Sequence, residues 1–183
     1  MLKFESLKKH FRKAAPEVSG ISVFFLQKRL ERFTSDQLSL AMQRGRHKPY
    51  DATNFYGMST FDGEGGLLKY NAMFFTFQHF DRRVDTASFG DNEIPQWAAH
   101  NAYTSFGYAC PGGIPEGDLR DKMFCLLGLI CAELLGHNTR ALLFVEDRVM
   151  IPYDAWLVNE FRQGKKWNPK QLSSTKPNVI SGV

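Results

Sequence analysis

The sequence lacks the features that mark the common classes of enzyme, exported protein and membrane protein. No H-E-x-x-H, C-x-x-C, G-x-S-x-G or P-loop pattern occurs in its 183 residues, so the familiar zinc, redox, serine-hydrolase and nucleotide-binding sites have no motif here. No run of about 18 apolar residues is present, and the residues before Gly20 lack the apolar stretch of a secretory signal. We therefore expect a cytoplasmic chain with no membrane insertion.

Cysteine is scarce, with three residues in the chain. Two of them, Cys125 and Cys131, lie inside an apolar segment, where a thiol behaves as a small hydrophobic group. An odd count without a paired spacing argues against a disulfide framework and against a zinc cage, and it fits a reducing compartment. We predict neither a metal nor a cofactor.

Acidic residues are missing from one end of the chain and nearly missing from the other. Residues 1–15 carry a net charge of +4, and residues 165–183 carry +4 with no acidic residue, which leaves −4 between them. A mildly acidic body with basic ends is not the electrostatic pattern of a nucleic-acid-binding face. An accessory protein that binds nucleic acid through the ends, with Phe4, Phe11 and Trp167 stacking on bases, is therefore the least favoured alternative.

Hydrophobic residues make up 43% of the chain and include 16 phenylalanines, enough for a core rich in aromatic rings. The patterns predict one domain in three parts: a basic N-terminal helix over 1–19, a body over 20–163 and a basic C-terminal tail over 164–183. For the body they predict strands over 21–26, 55–61, 67–77, 102–110, 140–145 and 149–151, with helices over 34–45, 116–135 and 153–162. The 116–135 helix is so apolar that we expect it to be buried on most of its circumference.

The order of these elements indicates an α+β fold. Residues 21–77 and 102–151 each read as β-α-β-β, so two similar halves could form one mixed or antiparallel sheet of six strands with both long helices on one face. The opposite face would then be covered by the terminal helices or by a partner.

The connection over 78–96 is longer than loops usually are, and such loops are often functional. It includes Phe80, Asp81, Arg82 and Arg83, and it ends next to Trp97. Trp and Arg are enriched in binding hot spots because they combine a large contact area with directed hydrogen bonds. These five residues are our candidate partner-binding surface; the alternative is that Phe80 and Trp97 only fix the loop to the core.

A catalytic alternative uses His79, Asp81 and His100, which could meet as an acid–base site on a small-molecule or nucleotide substrate. The competing interpretation is that each imidazole only forms a hydrogen bond to backbone at the end of a strand. We favour a protein without catalytic residues.

Three segments also resemble a family of bacterial α/β domains of unknown function found in toxin and secretion loci. They are V-F-F-L-Q from Val23, Ile94-Pro95 followed by Ala98-Ala99-His100, and A-L-L-F-V-E-D-R-V-M-I-P-Y-D-A-W from Ala141. The resemblance covers about residues 20–163 and transfers only His100, as a structural feature. It implies a toxin or secretion component as the partner. Our interpretation is a non-catalytic, cytoplasmic protein-binding domain of the immunity or accessory type.

Overall fold

A computed structural model of the chain describes residues 20–45, 55–59, 64–70, 73–85, 94–109 and 116–176. The helix predicted over 1–19 lies outside these ranges. The strands are β1 (Gly20–Gln27), β2 (Phe55–Ser59), β3 (Gly65–Tyr70), β4 (Met73–Phe80), β5 (Ala102–Ala109), β6 (Thr139–Phe144) and β7 (Val149–Pro152). The helices are α1 (Ser35–Gly45), α2 (Gly117–Leu134), α3 (Ala155–Arg162) and α4 (Pro169–Thr175), with a short 3-10 turn over Gln96–Ala98.

The described strands form one seven-stranded sheet in the order β2-β3-β4-β5-β1-β6-β7. All six neighbouring pairs are antiparallel, which confirms the predicted α+β class. Strand β1 lies between β5 and β6, so the first strand of the first half is inserted among the strands of the second half. The two halves therefore share one sheet.

The sheet has seven strands, not the six predicted, because the segment predicted as one strand over 67–77 is two. Strands β3 and β4 pair in antiparallel register, from Gly65 opposite Gln78 to Tyr70 opposite Met73. Asn71, which interrupts the apolar run in the sequence, is the available signal for a reversal, since Asn favours turns. Strand β4 also continues to Phe80, which shortens the predicted 78–96 connection.

The main core lies between one face of the sheet and the helices. Strand alternation turns Ile21, Val23 and Phe25 toward α1 and α2, as expected for the two long helices. Phe106 stacks against Phe25 and Phe75, with ring centres 5.9 Å and 6.0 Å apart. Burying one such ring contributes about 1.5–3 kcal/mol, so the abundant phenylalanine of the sequence is largely a core feature.

Helix α2 is buried or half-buried on all sides over residues 123–134, in line with the expectation of burial around most of its circumference. Phe124, Leu127 and Ile130 are fully buried. The start of the helix departs from this expectation, because the side chain of Leu119 is 59% exposed. Of the helices in the described ranges, none has the length and hydropathy needed to cross a membrane.

Part of the segment predicted as a basic tail over 164–183 is packed structure. Helix α4 begins at an Asn168 cap, whose side chain accepts a hydrogen bond from the Gln171 amide at 2.9 Å, and Pro169 occupies its first turn. Trp167 and Leu172 are buried in the main core. Trp167 is therefore not free to stack on a nucleic-acid base.

The second sheet face is partly covered by the connection between β4 and β5. Val84 and Ala98 pack on Leu26, Tyr103 and Leu143 in a separate apolar cluster. The sequence pattern predicted that the terminal helices or a partner would cover this face. The connection itself covers this part because its Val84 and Ala98 are apolar and pack on the sheet.

Candidate contact surface at one end of the sheet

Three segments meet at the end of the sheet where β1 and β4 finish and β5 begins. They are residues 28–34, 81–85 and 94–101, which we call the loop surface. Asn101 joins them: its amide donates to the Gln27 carbonyl at 3.0 Å and its side chain donates to the Lys28 carbonyl at 3.1 Å. The Arg83 guanidinium in turn donates to the Asn101 side chain at 3.4 Å. One side chain therefore links two loops that are far apart in sequence.

His79 holds the first of these loops. It is buried near the end of β4, where its Nε2 accepts a hydrogen bond from the Phe33 amide at 3.0 Å and its Nδ1 lies 2.8 Å from the Thr104 hydroxyl. Because Nε2 accepts, the proton of the neutral ring is on Nδ1. Burial, together with the smaller effect of the nearby Arg32, lowers the pKa of His79 to about 4.

His100 holds the second loop in the same way. Its Nε2 accepts a hydrogen bond from the Val84 amide at 3.0 Å, and its Nδ1 donates to the Ala98 carbonyl at 3.0 Å. Burial is the main reason that the pKa of His100 is lowered; the bond to Ala98 opposes the shift, and Arg83 adds to it. The neutral ring fixes the 81–85 segment to the residues before β5.

These contacts leave the catalytic alternative without support from the geometry. Both nitrogens of His79 and of His100 are engaged within the protein, and Asp81 is an exposed residue with no bond to either ring. Within the described ranges, no group of three or more His, Cys, Asp and Glu side chains could hold a metal ion. A surface pocket of about 430 Å³ does occur elsewhere, but it is lined by His137, Tyr153 and Arg162 among others, and by neither of the two buried histidines.

A stack of rings crosses the second sheet face beside the loop surface. Tyr103 on β5 lies between Phe24 of β1, 5.1 Å away, and Phe80 of β4, 4.5 Å away, with the Phe80 ring inclined by only 16°. The Arg82 guanidinium lies 5.5 Å from the centre of the Phe80 ring. Such stacked and cation–π contacts hold the Arg82 side chain in a defined position.

Trp97 has a different environment from Phe80. The 3-10 turn buries Ala98 completely and leaves Trp97 46% exposed. The alternative in which both rings only fix the loop to the core therefore fits Phe80 and does not fit Trp97. An exposed indole on a turn, in the same loop surface as exposed Arg82 and Arg83, has the composition of a binding hot spot.

The structure brings all five predicted contact residues to one end of the sheet, and it adds a segment that the sequence analysis missed. Residues 28–34 lie beside them through Asn101 and contribute exposed Lys28, Arg29 and Arg32. The available signal was a basic run directly after a buried strand. No protein-family model, no curated protein and no solved structure matches this chain.

Proposed function

We propose that this chain is a non-catalytic protein-binding domain whose contact surface is the loop surface. The observation that carries the proposal is the pairing of an exposed Trp97 with an Arg82 that is held in place by the ring stack. Fixed aromatic and guanidinium groups bind at low entropic cost, because few rotamers are lost when a partner arrives. The resemblance noted in the sequence makes an immunity or accessory protein of a toxin or secretion system the specific form of this proposal.

The ring stack favours a protein partner over nucleic acid. Binding of single-stranded nucleic acid needs ring faces on which bases can stack. Here Tyr103 lies between Phe24 and Phe80, and one face of Phe80 is covered by Tyr103. Trp97 remains as an exposed ring, which suits an anchor residue in a protein interface.

The test is capture of a partner from nuclease-treated native lysate by the immobilised full chain, followed by mass identification. We expect Trp97→Ala and Arg82→Ala each to weaken affinity for the specific partner by about thirtyfold or more, since truncation of a hot-spot residue costs about 2 kcal/mol or more. Circular dichroism and thermal unfolding should be close to those of the parent, because both side chains are exposed.

Two matched variants control for general effects on the surface. Leu119 is the most exposed large apolar side chain of the described chain, and Arg162 is an exposed arginine on α3. Leu119→Ala and Arg162→Ala should leave capture unchanged. Equal capture by all four variants would remove the loop surface as the binding site.

A further inference from the structure

The described residues of the loop surface carry an excess of positive charge. Five cationic side chains are exposed on its two charged segments: Lys28, Arg29, Arg32, Arg82 and Arg83. The same segments contain three acidic residues, Glu31, Asp81 and Asp85, so the net charge of the surface is +2. The chain between its two basic ends is acidic overall, which makes this concentration a local feature.

None of these five cations has a carboxylate within 4.0 Å among the described residues. Between residues 118 and 176, by contrast, five cations pair with carboxylates of the protein. The pairs are Arg120 with Asp147, Lys122 and Lys166 with Asp118, Arg162 with Glu133, and Lys176 with Asp154. Within the described part of the chain, these five cations thus have no carboxylate partner.

The arrangement of these charges indicates what would match them. Arg29 and Arg32 lie on one loop, Arg82 and Arg83 on the other, and the link through Asn101 keeps the two loops adjacent. Guanidinium groups favour carboxylates because they can donate two parallel hydrogen bonds to the two oxygens. The exposed Trp97, on the third segment of the loop surface, favours an apolar or aromatic side chain.

We propose that the loop surface recognises an acidic protein segment, in which carboxylates flank an apolar or aromatic residue, and that Arg29 and Arg32 belong to the binding site together with Arg82. This inference rests on the proposed function. It adds the chemistry of the partner and includes the 28–34 loop in the binding site. The carboxylates pair with the four arginines, and the apolar residue packs on Trp97. Complementary charge accelerates association and selects against basic partners.

The test is selection of random peptides displayed on phage against the immobilised full chain in 0.15 M salt. We expect enrichment of peptides with several Asp or Glu residues around an aromatic or aliphatic residue. A fluorescent copy of the most enriched peptide should bind Arg29→Glu/Arg32→Glu about tenfold more weakly or worse, and its affinity for the parent should fall as salt increases.

The matched control is Arg148→Glu/Lys170→Glu, which reverses two exposed charges away from the loop surface and should leave affinity unchanged. If Trp97→Ala abolishes peptide binding but Arg29→Glu/Arg32→Glu does not, the proposed function stands and this inference fails. If neither variant changes binding, both fail. Selection of peptides without an acidic excess overturns the inference. It is also overturned if single-stranded oligonucleotides bind more tightly than the peptide and Arg29→Glu/Arg32→Glu abolishes that oligonucleotide binding.

Discussion

At the scale of single residues, the two buried histidines hold two segments of the loop surface by hydrogen bonds to backbone amides. The Nε2 atom of each ring accepts a hydrogen bond from a backbone amide, that of Phe33 for His79 and that of Val84 for His100. A buried amide without an acceptor is costly, so each ring stabilises its loop only while it is neutral. A protonated ring would have no lone pair on Nε2 to accept this bond, so both rings stay neutral in the folded chain.

His100→Ala should loosen the 81–85 segment. It leaves the buried Val84 amide and the Ala98 carbonyl without their partner. We expect the free energy of unfolding to fall by about 2–6 kcal/mol, at about 1–3 kcal/mol for each of the two unsatisfied groups. Urea denaturation measures the loss. Hydrogen exchange should show the Val84 amide exchanging faster than in the parent.

His137→Ala is the matched control, since His137 is exposed and makes no hydrogen bond to the described residues of the loop surface. It should change the unfolding free energy by no more than about 0.5 kcal/mol. Equal stability of the His100→Ala variant and the parent would show that water replaces the imidazole. The histidine would then not be what fixes the loop.

At the scale of elements, the tight packing of α2 against α3 and Trp167 depends on Gly128. A Cβ at this position would lie 2.9 Å from Phe161 on α3 and 2.9 Å from Trp167, both of which are rigid rings. Alanine gains about 1 kcal/mol of helix propensity over glycine, but overpacking of a core costs about 1–3 kcal/mol. We expect Gly128→Ala to lower the unfolding free energy by about 1–2 kcal/mol, measured by urea denaturation.

Gly136→Ala tests whether that loss comes from the contact with the rings. The nearest atom to a Cβ at Gly136 is a Glu31 carboxylate oxygen at 3.9 Å, which is ordinary contact. We expect this variant to be as stable as the parent. A stabilised Gly128→Ala variant would contradict the tight packing of α2 against α3 and Trp167.

Elements with a strong pattern could be predicted from the sequence, and weakly marked ones could not. Thr34 and Gln37 exchange side chain to backbone hydrogen bonds at the start of α1, as the capping residues there suggest. Helix α4 was missed because its apolar content is small and Lys165 and Lys166 precede it. The Asn168-Pro169 pair, a cap followed by a proline in the first turn, was the signal available.

At the scale of the whole molecule, the strand order is what the sequence could not supply. The placement of β1 between β5 and β6 depends on contacts between segments about 80 or more residues apart, and local periodicity carries no record of them. This order brings Asn101 next to Lys28 and therefore joins the two loops. Residue type alone made Trp97 and Arg82 candidate contact residues, whereas Arg29 and Arg32 become candidates only once the strand order is known.

Because both histidines are neutral in the folded chain, the stability of the whole molecule should decrease as the pH falls. The pKa of His79 is about 4 in the folded state and 6.5 in the unfolded state. The unfolded chain therefore gains a proton over this interval while the folded chain does not, and the stability present above pH 6.5 is lost down to about pH 4. The full effect is at most about 3 kcal/mol for His79, and His100 acts in the same direction.

The contribution of His79 can be separated from that of the carboxylates. Asp118 and Asp154 have lowered pKa values and lose their stabilising effect only below the unfolded value of 3.8, outside this interval, while the raised pKa of Glu146 acts in the opposite direction. His79→Gln removes one titrating group, so urea denaturation between pH 7 and about pH 4.5 should show a shallower loss of stability than in the parent. In NMR titrations the His79 ring signals should move only near pH 4. Parallel stability curves for the two proteins, or a His79 midpoint near 6.5, would mean that this imidazole is charged in the fold and cannot accept the Phe33 amide.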